Sequence, residues 1–160
     1  MTLAKKLADM KLALPAVPKP VGSYVPAVRA GQFVVTSGQL PSRDGKLICT
    51  GKVGAEVTLA QAAEAAKQAA INALAAAASV LVEAGEPLVS GLERIERIVK
   101  VTVYVSSAPG FTDQPKVANG ASDVLVEIFG ENGRHARSAV GAAELPLNAP
   151  VELELTCYCP

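Results

Sequence analysis

Apolar and polar positions repeat along this chain with two different periods, and the switches between them mark its elements. In Ile98–Ser106, Val99, Val101, Val103 and Val105 fall on one side, while Lys100, Thr102 and Tyr104 fall on the other. That two-residue period predicts a strand with one buried face. Tyr24–Val28 and Gln32–Ser37 are further β-rich runs, separated by Arg29-Ala30-Gly31 and predicted to form a hairpin. Gly38 and Pro41 stop the second run, Asp44-Gly45 marks a turn, and Lys46–Thr50 follows as a short strand. Near the C-terminus, Arg137–Ala143 and Val151–Cys159 read as two more strands joined by LPLNAP.

Between the strands the period lengthens to that of a helix. Leu3, Leu7, Met10 and Leu14 predict a short amphipathic helix over Thr2–Leu14, after which the four prolines of PAVPKPVGSYVP enforce an extended connector. Thr58 followed by Gln61 fits a capping box and opens the longest helix. Leu59, Ala63, Ala66, Ala70, Leu74, Ala77 and Leu81 share its apolar face, Gln61, Glu64, Gln68, Asn72, Ser79 and Glu83 the opposite one, and Gly85 and Pro87 end it. Residues 88–97 are expected to hold another helical turn. Asp113 and Pro115 open a second helix, with a stripe of Val117, Ala121, Val124, Leu125, Ile128 and Phe129 and a stop at Asn132-Gly133.

After the N-terminal helix the order is thus ββ(β)αβαββ. It predicts one α+β domain over 1–160, a mixed β-sheet with two helices packed on one face, and residues 1–20 as a helical and Pro-rich extension. The faces carrying Lys100, Thr102 and Tyr104, or Glu152, Glu154 and Thr156, are semi-polar, so their expected cover is another subunit.

Composition narrows the class. Fifteen Lys and Arg balance fifteen Asp and Glu, only 4% of residues are aromatic, and the isoelectric point is about 6.6. Nucleic acid is therefore not an expected partner, since neutralising phosphates needs clustered cations. Half of the residues are hydrophobic, yet the most apolar run, 69–82, contains Asn72 and Ser79 and falls short of the roughly 20 residues that span a bilayer. Asp9 and Lys11 interrupt any secretory core near the N-terminus, and the expected compartment is the cytoplasm. Cys49, Cys157, Cys159 and the single His135 do not form a metal-ligand pattern, so the cysteines are expected to be free thiols and no metal is expected. The Ala- and Val-rich composition implies a light core whose elements approach closely.

No G-x-G-x-x-G, P-loop, H-E-x-x-H or G-x-S-x-G is present. Candidate chemistry is concentrated near the C-terminus. Arg137 opens a strand, where its planar guanidinium can either hold a carboxylate through two hydrogen bonds or pair with a surface acid. Glu152 and Glu154 stand two apart on one strand face, where they can raise each other's pKa as an acid or base requires, or simply form a solvated face. Tyr24, Ser37 and Asn119 lie at element ends as hydrogen-bonding groups, and His135 is expected to decorate the loop before Arg137.

The segments GSYVPAVRAGQFVVTSGQLP, VKVTVYV, DQPKVANGASDVLVEIFGENGRHARSAVGAAELPLNAP and VELEL, in this order and spacing, resemble the YjgF/Rid family, which also carries the label L-PSP endoribonuclease-like. The resemblance implies a chorismate-mutase-like fold, a homotrimer with a central β-barrel, and sites in clefts between subunits. It further implies a deaminase that hydrolyses reactive enamines and imines of the 2-aminoacrylate type to 2-keto acids and ammonia, without a cofactor. By this resemblance Arg137 binds the substrate carboxylate and Glu152 orients or activates water, while Tyr24, Ser37, Gly38 and Asn119 line the cleft. Ala139 stands where well-known deaminases often carry Cys, leaving a backbone N–H but no thiol. The first 20 residues and the stretch from Glu86 to Glu93 look longer than in compact members. A non-catalytic trimer that binds small carboxylates is the alternative, and an endoribonuclease is disfavoured by the neutral charge.

Overall fold

The computed structural model describes residues 1–160. A short helix, α1 (Leu3–Asp9), precedes the extended Pro-rich connector and the hairpin of β1 (Ala27–Ala30) and β2 (Phe33–Thr36). A two-residue-per-strand hairpin follows, β3 (Ser42–Arg43) and β4 (Lys46–Leu47), then the long α2 (Leu59–Ser79) and the short α3 (Leu88–Glu93). The chain continues through β5 (Arg97–Ser106), α4 (Gln114–Phe129), β6 (Ala136–Ala142) and β7 (Val151–Tyr158). The main sheet has the order β1-β2-β7-β5-β6, with β5 and β6 parallel and the other neighbours antiparallel. It is therefore the mixed sheet expected from the alternation of periods, with helices layered on one face.

Local signals explain where the elements begin. Thr58 Oγ1 accepts from the Gln61 N–H at 3.2 Å, and Gln61 Oε1 accepts from the Thr58 N–H at 2.9 Å, so the capping box forms in full at the start of α2. Twelve of the 33 core residues are alanines, which lets the helices meet backbone to backbone. A Cβ placed on Gly120 of α4 would lie 1.9 Å from the Ala63 carbonyl oxygen of α2, and one on Gly91 of α3 would lie 2.4 Å from that of Ala78. No helix is long and apolar enough to cross a membrane.

Several expectations are corrected in detail. α1 stops at Asp9, α2 at Ser79 and α4 at Phe129, where Gly130 takes a positive φ and a 3₁₀ turn continues to Gly133. The hairpin strands begin later than expected, at Ala27 and Phe33, and β4 ends at Leu47. Ile98, not Val99, occupies the core: the β5–β7 register shifts between Ile98 and Lys100, and this irregularity turns Val99 out of the alternation. Gln68 and Asn72, placed by periodicity on the polar face of α2, are buried. They are satisfied there by each other and by the segment from Leu40 through β3. Asn72 Nδ2 donates to the carbonyls of Leu40 and Ser42, both at 2.9 Å, and Gln68 donates to Asn72 Oδ1 at 2.9 Å while accepting from the Arg43 guanidinium.

The sheet face away from the helices is bare in a single chain. Val28, Phe33 and Val35 are 52%, 45% and 47% exposed, and the ring of Phe33 meets that of Tyr158 at a tilt of 58°, with centroids 5.7 Å apart. Lys100, Thr102, Tyr104, Glu152, Glu154 and Thr156 continue the same face through the β5–β7 pairing.

Candidate functional site

The residues singled out from the sequence separate into two groups on opposite sides of the sheet. The first gathers on β7 and the end of β2. Tyr104 and Glu152 are cross-strand neighbours, as are Thr102 and Glu154, so both carboxylates stand on the bare face. Tyr104 donates its hydroxyl to Glu154 Oε1 at 3.0 Å, an interaction that raises the tyrosine's pKa. Glu152 has no such donor. Burial raises its pKa first, and the charge of Glu154 raises it further.

Gly38 makes room for that carboxylate. A Cβ there would meet Glu152 Oε1 at 2.1 Å, so a residue without a side chain is required for Glu152 to lie against this loop. The loop is fixed from both ends. Gln39 pairs with Leu153 of β7 through backbone bonds of 2.7 and 3.0 Å, and Leu40 and Ser42 are held by Asn72. Ser37 donates its hydroxyl to the Val25 carbonyl at 2.6 Å and its N–H to that of Pro26 at 2.8 Å. The Ser37 hydroxyl hydrogen is thus already used, and a ligand would meet its lone pairs. These bonds bring Tyr24 beside Gly38, where both line a groove of about 310 Å³ whose walls include Pro18, Val21, Leu40 and Leu147.

The second group lies along β6 and α4. Arg137 pairs with Val101 and Ala139 with Val103, so both side chains share the helix-facing side of the sheet, at its edge. Arg137 takes part in none of the ion pairs of the chain, so the surface-acid reading does not describe it. Instead three neutral oxygens hold it. One terminal nitrogen donates to Asn119 Oδ1 at 2.9 Å and to Ser122 Oγ at 3.1 Å, and the other donates to the Pro115 carbonyl at 3.3 Å. This leaves the Nε–H and one terminal N–H unused, together with an uncompensated positive charge. Asn119, in turn, keeps its amide hydrogens for another acceptor. Ala139 packs against the core.

Arg137 and Glu152 do not meet within one chain. β5 lies between their strands, and Glu152 is level with Val140, three residues beyond Arg137. Ordinary strand spacings put their Cα atoms about 14 Å apart, with the side chains on opposite faces.

One participant, Ser122, carries no sequence motif of its own, and His135 has a larger part than the sequence suggests. Ser122 follows Asn119 by three residues and so shares its helix face, the one signal that could have linked them. His135 does more than decorate its loop: Nδ1 lies 2.6 Å from the Gly133 carbonyl and Nε2 lies 3.0 Å from Ser122 Oγ. Burial lowers the pKa of His135; the bond to Gly133 opposes this, and the charge of Arg137 lowers it further.

Residues 4–157 match the model of the family described as "YjgF/chorismate_mutase-like, putative endoribonuclease". The chain is 40% identical to Protein TCP17 of Trypanosoma cruzi over 153 residues, covering 95% of this chain and 91% of that protein. It is 34% identical over 143 residues to the 2-iminobutanoate/2-iminopropanoate deaminase of Dermatophagoides farinae, covering 89% and 91% of the two. The crystal structure of a "putative endoribonuclease" from Shewanella oneidensis superposes with a TM-score of 0.88 at 34% identity, covering 99% of each chain.

Proposed function

The chain belongs to the YjgF/chorismate-mutase-like family, and on that footing we propose that it is a deaminase of reactive imines and enamines of the 2-aminoacrylate type, acting as a homotrimer. The observation that carries this reading is the separation just described. An uncompensated Arg137 on one side of the sheet and a carboxylate of raised pKa on the other form two half-sites, which only neighbouring copies can join. The bare, semi-polar sheet face supplies the contact surface, and three copies closing head to tail would turn these faces inward as a central barrel.

In the joined cleft the two free N–H groups of Arg137 take the substrate carboxylate side by side. Tyr24, Ser37, Gly38 and Asn119 flank it. An imine carbon is already electrophilic, so the protein has mainly to position it and to steer water. Glu152 accepts a proton as water adds to the C=N carbon, and that proton passes to the nitrogen. Collapse of the carbinolamine then releases ammonia and the 2-keto acid. A carboxylate with a raised pKa is the stronger base for this step. The reaction calls for no cofactor, and the neutral charge of the chain fits small acids better than nucleic acid.

Mixing two inactive variants tests the assignment. Arg137→Ala and Glu152→Gln should each reduce turnover of 2-iminobutanoate by about 10²-fold or more. A re-assembled equal mixture should recover about one quarter of wild-type activity, because one site in four then combines an intact arginine with an intact glutamate. Undiminished turnover in Arg137→Ala would overturn the proposal. Full activity in Glu152→Gln would do the same, and unchanged binding of 2-oxobutanoate with no turnover in the wild type would favour the carboxylate-binding alternative.

A further inference from the structure

Arg137 is the last member of a hydrogen-bonded row that begins in the loop after α4. The Gly133 carbonyl can only accept, so the proton between it and His135 Nδ1, 2.6 Å away, belongs to the imidazole. In the neutral ring the second nitrogen, Nε2, must then accept, and the group facing it at 3.0 Å is the Ser122 hydroxyl. With its hydrogen turned toward His135, Ser122 Oγ presents lone pairs to the Arg137 guanidinium at 3.1 Å. Each donor in the row has one acceptor, and the direction runs from Arg137 through Ser122 and His135 to Gly133. Gly133 is itself wedged in place, since a Cβ there would lie 2.2 Å from the Leu125 carbonyl oxygen.

From this row we infer that Ser122 and His135 are positioning residues for Arg137, fixing which edge of its guanidinium is left free for the substrate carboxylate. The inference rests on the carboxylate-binding role proposed above for Arg137. Without the row, Arg137 retains only Asn119 and the weaker contact to Pro115 on an exposed edge strand, and its fork is free to rotate. Reversing the row is unfavourable. A protonated His135 would turn a second N–H toward Ser122 Oγ, which already accepts from Arg137, and would set two cations on either side of one hydroxyl. Burial, the largest influence on His135, and the charge of Arg137 both act against that form. The other charged side chains of the loop, Arg134 and Glu131, pair with each other at 3.0 Å.

His135 is the only histidine of the chain, so a long-range proton–nitrogen NMR spectrum reports this one ring without ambiguity. In the trimeric protein at neutral pH it should show the Nδ1–H tautomer. In Arg137→Ala its titration should move up toward the ordinary histidine value, because a neighbouring cation has gone. Ser122→Ala and His135→Ala should each raise KM for 2-iminobutanoate roughly tenfold while kcat changes little, as expected when binding common to ground and transition states is lost. His135→Gln, whose side-chain oxygen can accept from Ser122 in place of Nε2, should restore most of the affinity.

Three results would overturn the inference: an Nε2–H tautomer, wild-type KM in both alanine variants, or a loss of kcat at constant KM in Ser122→Ala, which would make Ser122 a reacting group. The underlying reading fails separately, through an unchanged KM in Arg137→Ala. The tautomer is read whether or not any imine is turned over.

Discussion

Glu152 is placed where its charged form is disfavoured, and this has a cost that its proposed role explains. Burial and Glu154 raise its pKa above the ordinary 4.5, so the folded chain holds this proton more tightly than the unfolded one. The sign follows from linkage: stability falls as pH rises from the unfolded value through the raised folded value, and the loss is complete above it. Glu152→Gln should therefore leave the thermal midpoint unchanged near pH 4 and raise it at pH 7, while lowering activity. A midpoint at pH 7 below that of the wild type would show that the carboxylate stabilises the fold, contrary to the direction of its shift. Gly38 belongs to the same trade. It gives the carboxylate space at the expense of a flexible residue, and the loop regains order from Asn72 and Gln39 instead.

At the scale of elements, the alanine-rich composition finds its reason in the contact of α2 with α4. Gly120 meets the Ala63 carbonyl so closely that Gly120→Ala must push two backbones apart, not merely turn a side chain. Overpacking of this kind costs about 1–3 kcal/mol, and chemical denaturation should report at least that loss, with lower secondary cooperativity if the helices separate. An unaltered denaturation midpoint would mean that the helices can slide. The same contrast shows what could be read along the chain. The valine alternation of β5, the capping box of α2 and the stripe of α4 depend on neighbours within a few residues, and each was legible. Val99 was misplaced because a register shift is a property of two strands. Gln68 and Asn72 depart from the periodic pattern because their partners, the Arg43 guanidinium for Gln68 and the carbonyls of Leu40 and Ser42 for Asn72, lie 25 to 32 residues away and only the fold brings them together. Arg137 and Glu152 are candidates by their chemistry and strand positions and take their roles from the resemblance, but nothing in their spacing tells that they face opposite ways. Ser122 escaped notice because its partner His135 follows a glycine turn whose geometry sets the contact.

The whole molecule is one layer of helices on a sheet whose far side is unfinished. Exposed Val28, Phe33 and Val35, the polar ladder of β5 and β7, and the unpaired edge of β6 together leave a surface that a lone chain of 16.4 kDa cannot cover. Under the proposed assignment, native mass measurement should find about three times that mass. The division of Arg137 from Glu152 by the sheet then carries a kinetic consequence. If the proposed assignment holds, a newly made chain would carry both groups and nevertheless be chemically silent. Its output per chain should collapse on dilution, with a concentration dependence steeper than first order, and should return with a lag when the protein is concentrated again. Dilution series followed by light scattering and imine turnover would check this, and constant activity per chain across the dissociation range would contradict it. A function assembled in this way would respond to the local crowding of copies as well as to their number, so a modest fall in expression would silence it more than proportionately.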